Sequence, residues 1–303
     1  ARSFAPKAKL VMVDVDDAEL DKMAKIGRQL YRSIRADARE FLRMASMWAG
    51  NIASYQDDYG GGGDTDSGYV TPWKRQINEW ADRYPVILPE YRKDPLNPYV
   101  IVEKLGEYIK PDDVIVSDTG CVLGWMMQAY KFKGERFVHA FNNTPMGYGL
   151  PALVGASFAT GKRCVLVTGD GGLSVNIGEF ATIVRHRLNV TIILFNNRGH
   201  AMCRQTQRQW MGGEYPSTSY EGGLATPDFQ DIARSYKMMA YGPNSISAYG
   251  IDDTLAKVFR AHMGFLEIPI DANFGLAPQA KFGHRLEDQE PLLPRDELAE
   301  VMA

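Results

Sequence analysis

With 303 residues, 45% hydrophobic and 23% charged, the chain has enough apolar material for a sizeable core in one large domain or two. A formal net charge of -3 with scattered Lys and Arg offers no basic face for nucleic acid or a membrane surface, and no apolar run reaches bilayer length. Those limits point to an ordinary globular chain whose partners are small molecules or other polypeptides.

In chain order, alternation over Leu10 to Val15 predicts a strand. Residues 18–50 follow with helical character, Leu20, Met23, Ile26 and Leu30 being spaced for one face. Residues 51–70 combine Gly60 to Gly63 with acidic and polar residues, the composition of a flexible linker. From residue 97 helix and strand alternate. Asn97 caps a helix with Pro98 in its first turn and Ile101, Leu105, Tyr108 and Ile109 on its buried side. A strand is predicted at 113–118, another at 164–168, then a helix carrying Ile177, Phe180, Ala181, Val184 and Leu188, and a strand at 190–195. Thr226-Pro227 opens a helix with Phe229, Ile232, Ala233 and Tyr236, and a last helix near Leu255 to His262 precedes the strand Phe265 to Ile270. This alternation predicts an α/β fold, a doubly wound parallel sheet covered on both faces, with ligands at the carboxyl ends of its strands.

Cys121, Cys164 and Cys203 are odd in number and lack zinc spacing, which predicts reduced packing thiols. The N-terminal stretch has no signal-peptide h-region, so the expected compartment is the cytoplasm.

Two turns follow strands directly: Gly169-Asp170-Gly171-Gly172 and Asn196-Asn197-Arg198-Gly199. The 24 residues between Gly171 and Asn196 suffice for one helix and one strand, so both turns belong at one end of adjacent parallel strands. Asp170, the Asn197 amide oxygen and the Gly199 carbonyl would then converge as hard oxygen ligands, suited to magnesium or calcium with phosphate oxygens completing the shell. Gly171 and Gly172 admit a ligand near a helix start, expected around Leu173, whose free amides favour an anion. Taken singly, a Gly-Asp-Gly-Gly turn is also just a turn; the pairing distinguishes it.

With these residues the sequence resembles the thiamine diphosphate enzymes, whose signature is GDG, a spacer of this length, and NN. The resemblance implies a magnesium ion on Asp170, Asn197 and the Gly199 carbonyl, bridging the cofactor's diphosphate, with Gly169, Gly171, Gly172, Ala201 and Met202 also against the cofactor. "NTPMGYGLPALVGA" at 143–156 resembles the segment around the aminopyrimidine. There Met146 would force the bent cofactor shape and the Thr144 carbonyl would receive the 4'-amino group. "SDTGCVLGW" at 117–125 resembles the loop on the far side of the diphosphate, with Gly120, Cys121 and Val122 in contact. Acetolactate synthases, the nearest group, carry Gln and His there, so backbone amides would replace side-chain donors, and Cys121 reads equally as packing. His200, Gln205, Gln207 and Trp210 are candidates for substrate contact, or members of a solvated helix face.

In that family a Glu beside the pyrimidine belongs to a separate N-terminal domain, which this sequence lacks. The resemblance therefore divides the chain into a middle-domain remnant at 1–50, an irregular linker at 51–96, the diphosphate-binding domain at 97–275 and a tail over the active site at 276–303. It implies a complementary chain supplying that Glu, in a heterotetramer or larger assembly. The expected activity is decarboxylation of a 2-oxo acid, pyruvate first, with transfer of the two-carbon unit to an acceptor carbonyl. Simple decarboxylation to an aldehyde and acyl-CoA lyase chemistry remain alternatives. Two other classes stay open: a nucleotide-binding Rossmann protein, because Gly147 to Ala152 matches GxGxxA in outline, and a non-catalytic subunit that keeps the fold.

Overall fold

The computed structural model describes residues 9–25, 30–57, 72–281 and 283–302. It divides into two compact units, the first ending at Tyr84 and including Gly283–Glu287, the second beginning at Pro85. Among the described residues no helix is long and apolar enough to cross a membrane.

The first unit opens with strand β1 (Val11–Asp14) and helix α1 (Asp17–Lys25). Strand β2 (Arg32–Arg35) then pairs parallel with β1, from Val11 opposite Arg32 to Asp14 opposite Arg35. This strand interrupts the helix expected over 18–50, because ladder hydrogen bonds to β1 override local helical preference in a short segment. Helix α2 (Ala38–Asp57) starts where the Asp37 carboxylate accepts from the amides of Arg39 and Glu40, at 2.9 and 3.3 Å. Helix α3 (Pro72–Arg83) begins with proline in its first turn and brings Trp73 edge-on to Trp80, 5.5 Å between centroids. Regular helix thus occupies part of the stretch expected to be irregular. Ile26, Gly60 to Gly63 and the Met23 side chain lie outside the described residues.

In the second unit, α4 (Pro98–Tyr108) is capped as expected, the Asn97 Oδ1 accepting from the Tyr99 amide at 3.0 Å. There follow β3 (Val114–Ser117), α5 (Cys121–Ala129), β4 (Arg136–Val138), α6 (Gly149–Thr160) and β5 (Cys164–Gly169). Next come α7 (Asp170–Val175), α8 (Phe180–His186), β6 (Val190–Asn196), α9 (Ala201–Trp210), α10 (Phe229–Ser235), β7 (Met239–Tyr241), α11 (Pro243–Arg260) and β8 (Met263–Pro269). A short β9 (Gln279–Ala280), β10 (Gln289–Glu290) and α12 (Arg295–Val301) close the chain.

The single helix expected around 177–188 is in fact α7, a 3-10 turn and α8, and it starts at Asp170 rather than near Leu173. Arg187, at φ 48, stops it in a left-handed cap, so Leu188 is buried just beyond the helix. The last helix is longer than expected and breaks at Gly250, φ 77. Ten residues separate β4 from α6, so the GxGxxA segment does not turn directly from strand to helix as a dinucleotide site requires.

Six strands of the second unit form one parallel sheet in the order β4-β3-β5-β6-β8-β7. Successive residues of each strand feed opposite cores. Val165, Val167, Ile193 and Phe195 join one face with α4, α5 and α11, while Leu166, Ile192, Leu194 and Phe265 join the other with α6, α8 and α10. Burial on both faces explains why these strands read as unbroken apolar runs. The chain runs outward from β3 to β4 and returns to β5 on the other side of β3, so the strand order reverses between β3 and β5. In such sheets the crevice beyond that reversal is where ligands bind.

Candidate active site

The turns leaving β3, β5 and β6 enclose a cavity of about 450 Å³ at that end of the sheet. Gly120, Cys121, Val122, Thr144, Met146, Gly169, Asp170, Gly171, Gly172, Asn197, Gly199, Ala201 and Met202 all line it, as does His200.

Asp170 is 2% exposed, its Oδ1 accepting from the Gly171 amide at 2.9 Å and its Oδ2 from the Gly199 amide at 2.8 Å. Burial outweighs these bonds and pushes its carboxyl up to about 6 from 3.8. The β5–β6 ladder runs to Gly169 opposite Phe195, which sets Asp170 beside the turn carrying Asn197. Asn197 is also buried, and its Nδ2 has no partner. That turn is shaped by Asn196, which accepts from the Arg198 amide at 2.9 Å and donates to Glu267 at 2.7 Å. Arg198 takes a left-handed φ of 52, and a Cβ at Gly199 would meet the Thr218 carbonyl at 2.6 Å.

Among the described residues no group of three or more His, Cys, Asp or Glu could hold a metal by itself. A cation at Asp170 would share one carboxylate with neutral oxygens from Asn197 and the backbone. That donor set fits magnesium, which retains anionic ligand oxygens in its shell. The orphaned Asn197 nitrogen beside it fits an anionic group as well.

Gly120, at φ 100, swings the chain into α5 so that Cys121 and Val122 bring first-turn amides, which lack intrahelical acceptors, to the cavity. The Cys121 side chain belongs to the apolar core, burial pushes its thiol up to about 12, and the residue also lines the cavity. Opposite, Met146 and His200 converge over Gly171. A Cβ there would lie 2.7 Å from the His200 ring and 3.5 Å from the Met146 sulfur.

Thr144 holds φ 42, with its amide donating to the Ala140 carbonyl at 2.8 Å. A β-branched residue in the left-handed region is strained by roughly 1–2 kcal/mol, part of which glycine would return as chain entropy. Thr144→Gly is therefore expected to raise the melting temperature by about 2 °C, and a fall in a thermal scan would refute the strain.

Gln205 and Gln207 do not reach the cavity. Ala201 to Cys203 form the first turn of α9 at the cavity, and Gln205 and Gln207 lie a turn or more further along the helix. Gln205 is buried against the 275–279 segment, bonded to the Leu276 amide and carbonyl and to Gln279. Gln207 accepts from the Thr218 hydroxyl at 2.6 Å and so fastens the loop after α9, whose Thr218 carbonyl receives the His200 amide at 3.1 Å. Trp210 is 60% exposed at the helix end, away from the cavity lining. The 275–278 segment is strapped to α4 and α5: the Ala277 amide donates to the Tyr99 hydroxyl at 2.9 Å, Trp125 donates to the Gly275 carbonyl at 3.1 Å and Gln128 to that of Pro278 at 2.7 Å.

Sequence reasoning missed Cys203, Phe195 and Ile270, which line the cavity, and Asp118, buried just behind it. For Asp118 a signal existed: it follows β3 as Asp170 follows β5.

Residues 118–268 match the family described as thiamine pyrophosphate enzyme, C-terminal TPP binding domain. The acetolactate synthase large subunit of Porphyra purpurea is 27% identical over 244 residues, covering 80% of this chain and 38% of that protein. The isozyme 3 large subunit of Escherichia coli K12 is 24% identical over 290 residues, covering 94% of this chain and 47% of that one. The chain thus spans less than half the length of these relatives. In fold it is similar to the benzoylformate decarboxylase of Polynucleobacter necessarius, at TM-score 0.63 and 17% identity over 88% of this chain and 45% of that one.

Proposed function

Because residues 118–268 belong to the C-terminal TPP binding domain of the thiamine pyrophosphate enzymes, we propose that this chain is the diphosphate-binding half of a magnesium-dependent carboligase. It would decarboxylate a 2-oxo acid, pyruvate first, and transfer the remaining acyl unit to an acceptor carbonyl. The observation that carries this reading is the pairing of buried Asp170 with the buried, unpartnered Asn197 amide at neighbouring strand ends.

Asp170, Asn197 and the Gly199 carbonyl would hold the magnesium, and the first-turn amides of α5 the diphosphate. When bound, thiamine diphosphate supplies the nucleophile and electron sink that side chains lack. Met146, Thr144, Val122, Phe195 and Ile270 line the cavity; Met146 would support the cofactor, the Thr144 carbonyl would accept from its amino group, and Val122, Phe195 and Ile270 would keep water away. His200 is the candidate for substrate contact. Gln205 and Gln207 would act at one remove, holding the 275–279 strap and the Thr218 loop.

Asp170 is the one carboxylate among the described residues lining the cavity. Proton handling at the cofactor ring would therefore need a carboxylate from outside the described residues, and a Glu of a complementary polypeptide in a hetero-oligomer would supply it. The free thiols suit a reducing compartment, the cytoplasm. Calorimetric titration with thiamine diphosphate, with and without magnesium and with NAD as comparator, tests the assignment. Magnesium-dependent heat with the first ligand alone is expected, and retention of NAD instead would overturn it. Product analysis with labelled pyruvate and added carbonyl acceptors then separates transfer from simple release of an aldehyde.

A further inference from the structure

Resting on that cofactor assignment, we infer that Asp118 is the positioning residue for Met146. Asp118 follows β3 at the strand-order reversal and is 0% exposed. Its Oδ1 accepts from the amides of Thr119 at 2.7 Å and Gly147 at 3.1 Å, and its Oδ2 from the Gly149 amide at 3.2 Å and the Thr168 hydroxyl at 3.5 Å. One carboxylate therefore joins the end of β3, the end of β5 and the segment that carries Met146.

Backbone closes around it. A Cβ at Gly149 would come 2.9 Å from its Oδ2, and one at Gly172 would come 2.8 Å from its Cγ, so the carboxylate has no room to shift. Residues 141–146 are exposed, and Met146 itself is 44% exposed, so packing does not fix its height above Gly171. That height is set through Gly147, whose amide donates to Asp118 while its carbonyl accepts from the Asn176 side chain at 2.9 Å. Gly147, at φ 91, makes the turn that permits both bonds.

A carboxylate is required because both its oxygens accept. Asparagine of the same size would turn an NH2 group towards the amide of either Gly147 or Gly149, breaking one bond and repelling its donor. Asp118→Asn thus releases the Met146 segment while keeping the volume of the site.

The test uses the full chain with any polypeptide that copurifies, comparing wild type and Asp118→Asn by site-resolved hydrogen exchange and by near-ultraviolet circular dichroism of added thiamine diphosphate. In wild type the Gly147 and Gly149 amides are expected to exchange about a hundredfold more slowly than those of Asn142 and Asn143. In the variant that protection falls about tenfold or more. The cofactor still binds through its diphosphate, with affinity lowered no more than about tenfold, but the dichroism of its bent form is lost. A variant that keeps both protection and dichroic signal overturns the inference. If the variant does not fold, wild-type exchange decides: amides at Gly147 and Gly149 as fast as that of Asn142 overturn it equally. Protected amides in a wild-type chain that binds no thiamine diphosphate overturn the cofactor assignment instead.

Discussion

Asp170→Ala is expected to weaken magnesium-dependent thiamine diphosphate binding roughly a hundredfold or more while leaving the cofactor-free fold within a few degrees of its wild-type melting temperature. Removing one member of a desolvated charge contact costs about 2–5 kcal/mol of binding, and each 1.4 kcal/mol is tenfold. Folding behaves differently because the cofactor-free protein already bears a strained carboxylate. Raising its carboxyl from 3.8 to about 6 corresponds to a penalty on the order of 3 kcal/mol once it is ionised. Between those values the folded state binds more protons than the unfolded one. Its contribution to stability is complete below about 3.8 and is lost as the pH rises through about 6. Alanine removes that slope but orphans the Gly171 and Gly199 amides, at about 1 kcal/mol or more each, so the two effects nearly cancel. Urea unfolding from pH 4 to 8 checks the slope and calorimetry checks the binding. Unchanged binding in the variant would remove the magnesium site from the reading.

The second large effect concerns turnover. On the function proposed above, the chain alone, saturated with cofactor and magnesium, is expected to process pyruvate at least about a thousandfold more slowly than the same chain with a complementary polypeptide that supplies the Glu. A positioned general acid or base contributes about 10²–10⁴ in rate, and the cavity's one described carboxylate accepts from two backbone amides and, on the proposed reading, would also hold the cation. Coupled assay of pyruvate consumption before and after adding the copurifying polypeptide measures the ratio. Full turnover by the isolated chain would end the two-polypeptide reading.

Asp170, Asn197 and the glycines between them were legible in the sequence because the information is local: a turn that ends an apolar strand lies at the carboxyl end of the sheet wherever that strand sits. Thr144 and Met146 were legible only through family resemblance, since nothing in their spacing announces a left-handed threonine or an exposed methionine over a glycine. Gln205 and Gln207 misled because their direction depends on the phase of α9 and on what packs against it, the Leu276 strap and the Thr218 loop. Strand β2 escaped notice for the same reason, its ladder partner being β1 rather than anything in its own residues. Asp118 could have been suspected from its place directly after β3, but its partners could not, three of its four donors being main-chain amides without a sequence signature.

The β5–β6 register, six residue pairs from Cys164 opposite Val190 to Gly169 opposite Phe195, sets the two turns that carry Asp170 and Asn197 side by side. The spacing of those turns is therefore a dimension of the sheet, while the Asn196 bond and the left-handed Arg198 set how closely Asn197 approaches Asp170. Heating should not loosen it by degrees: cation affinity corrected for ordinary van't Hoff behaviour should hold until the sheet itself melts, and then vanish with it.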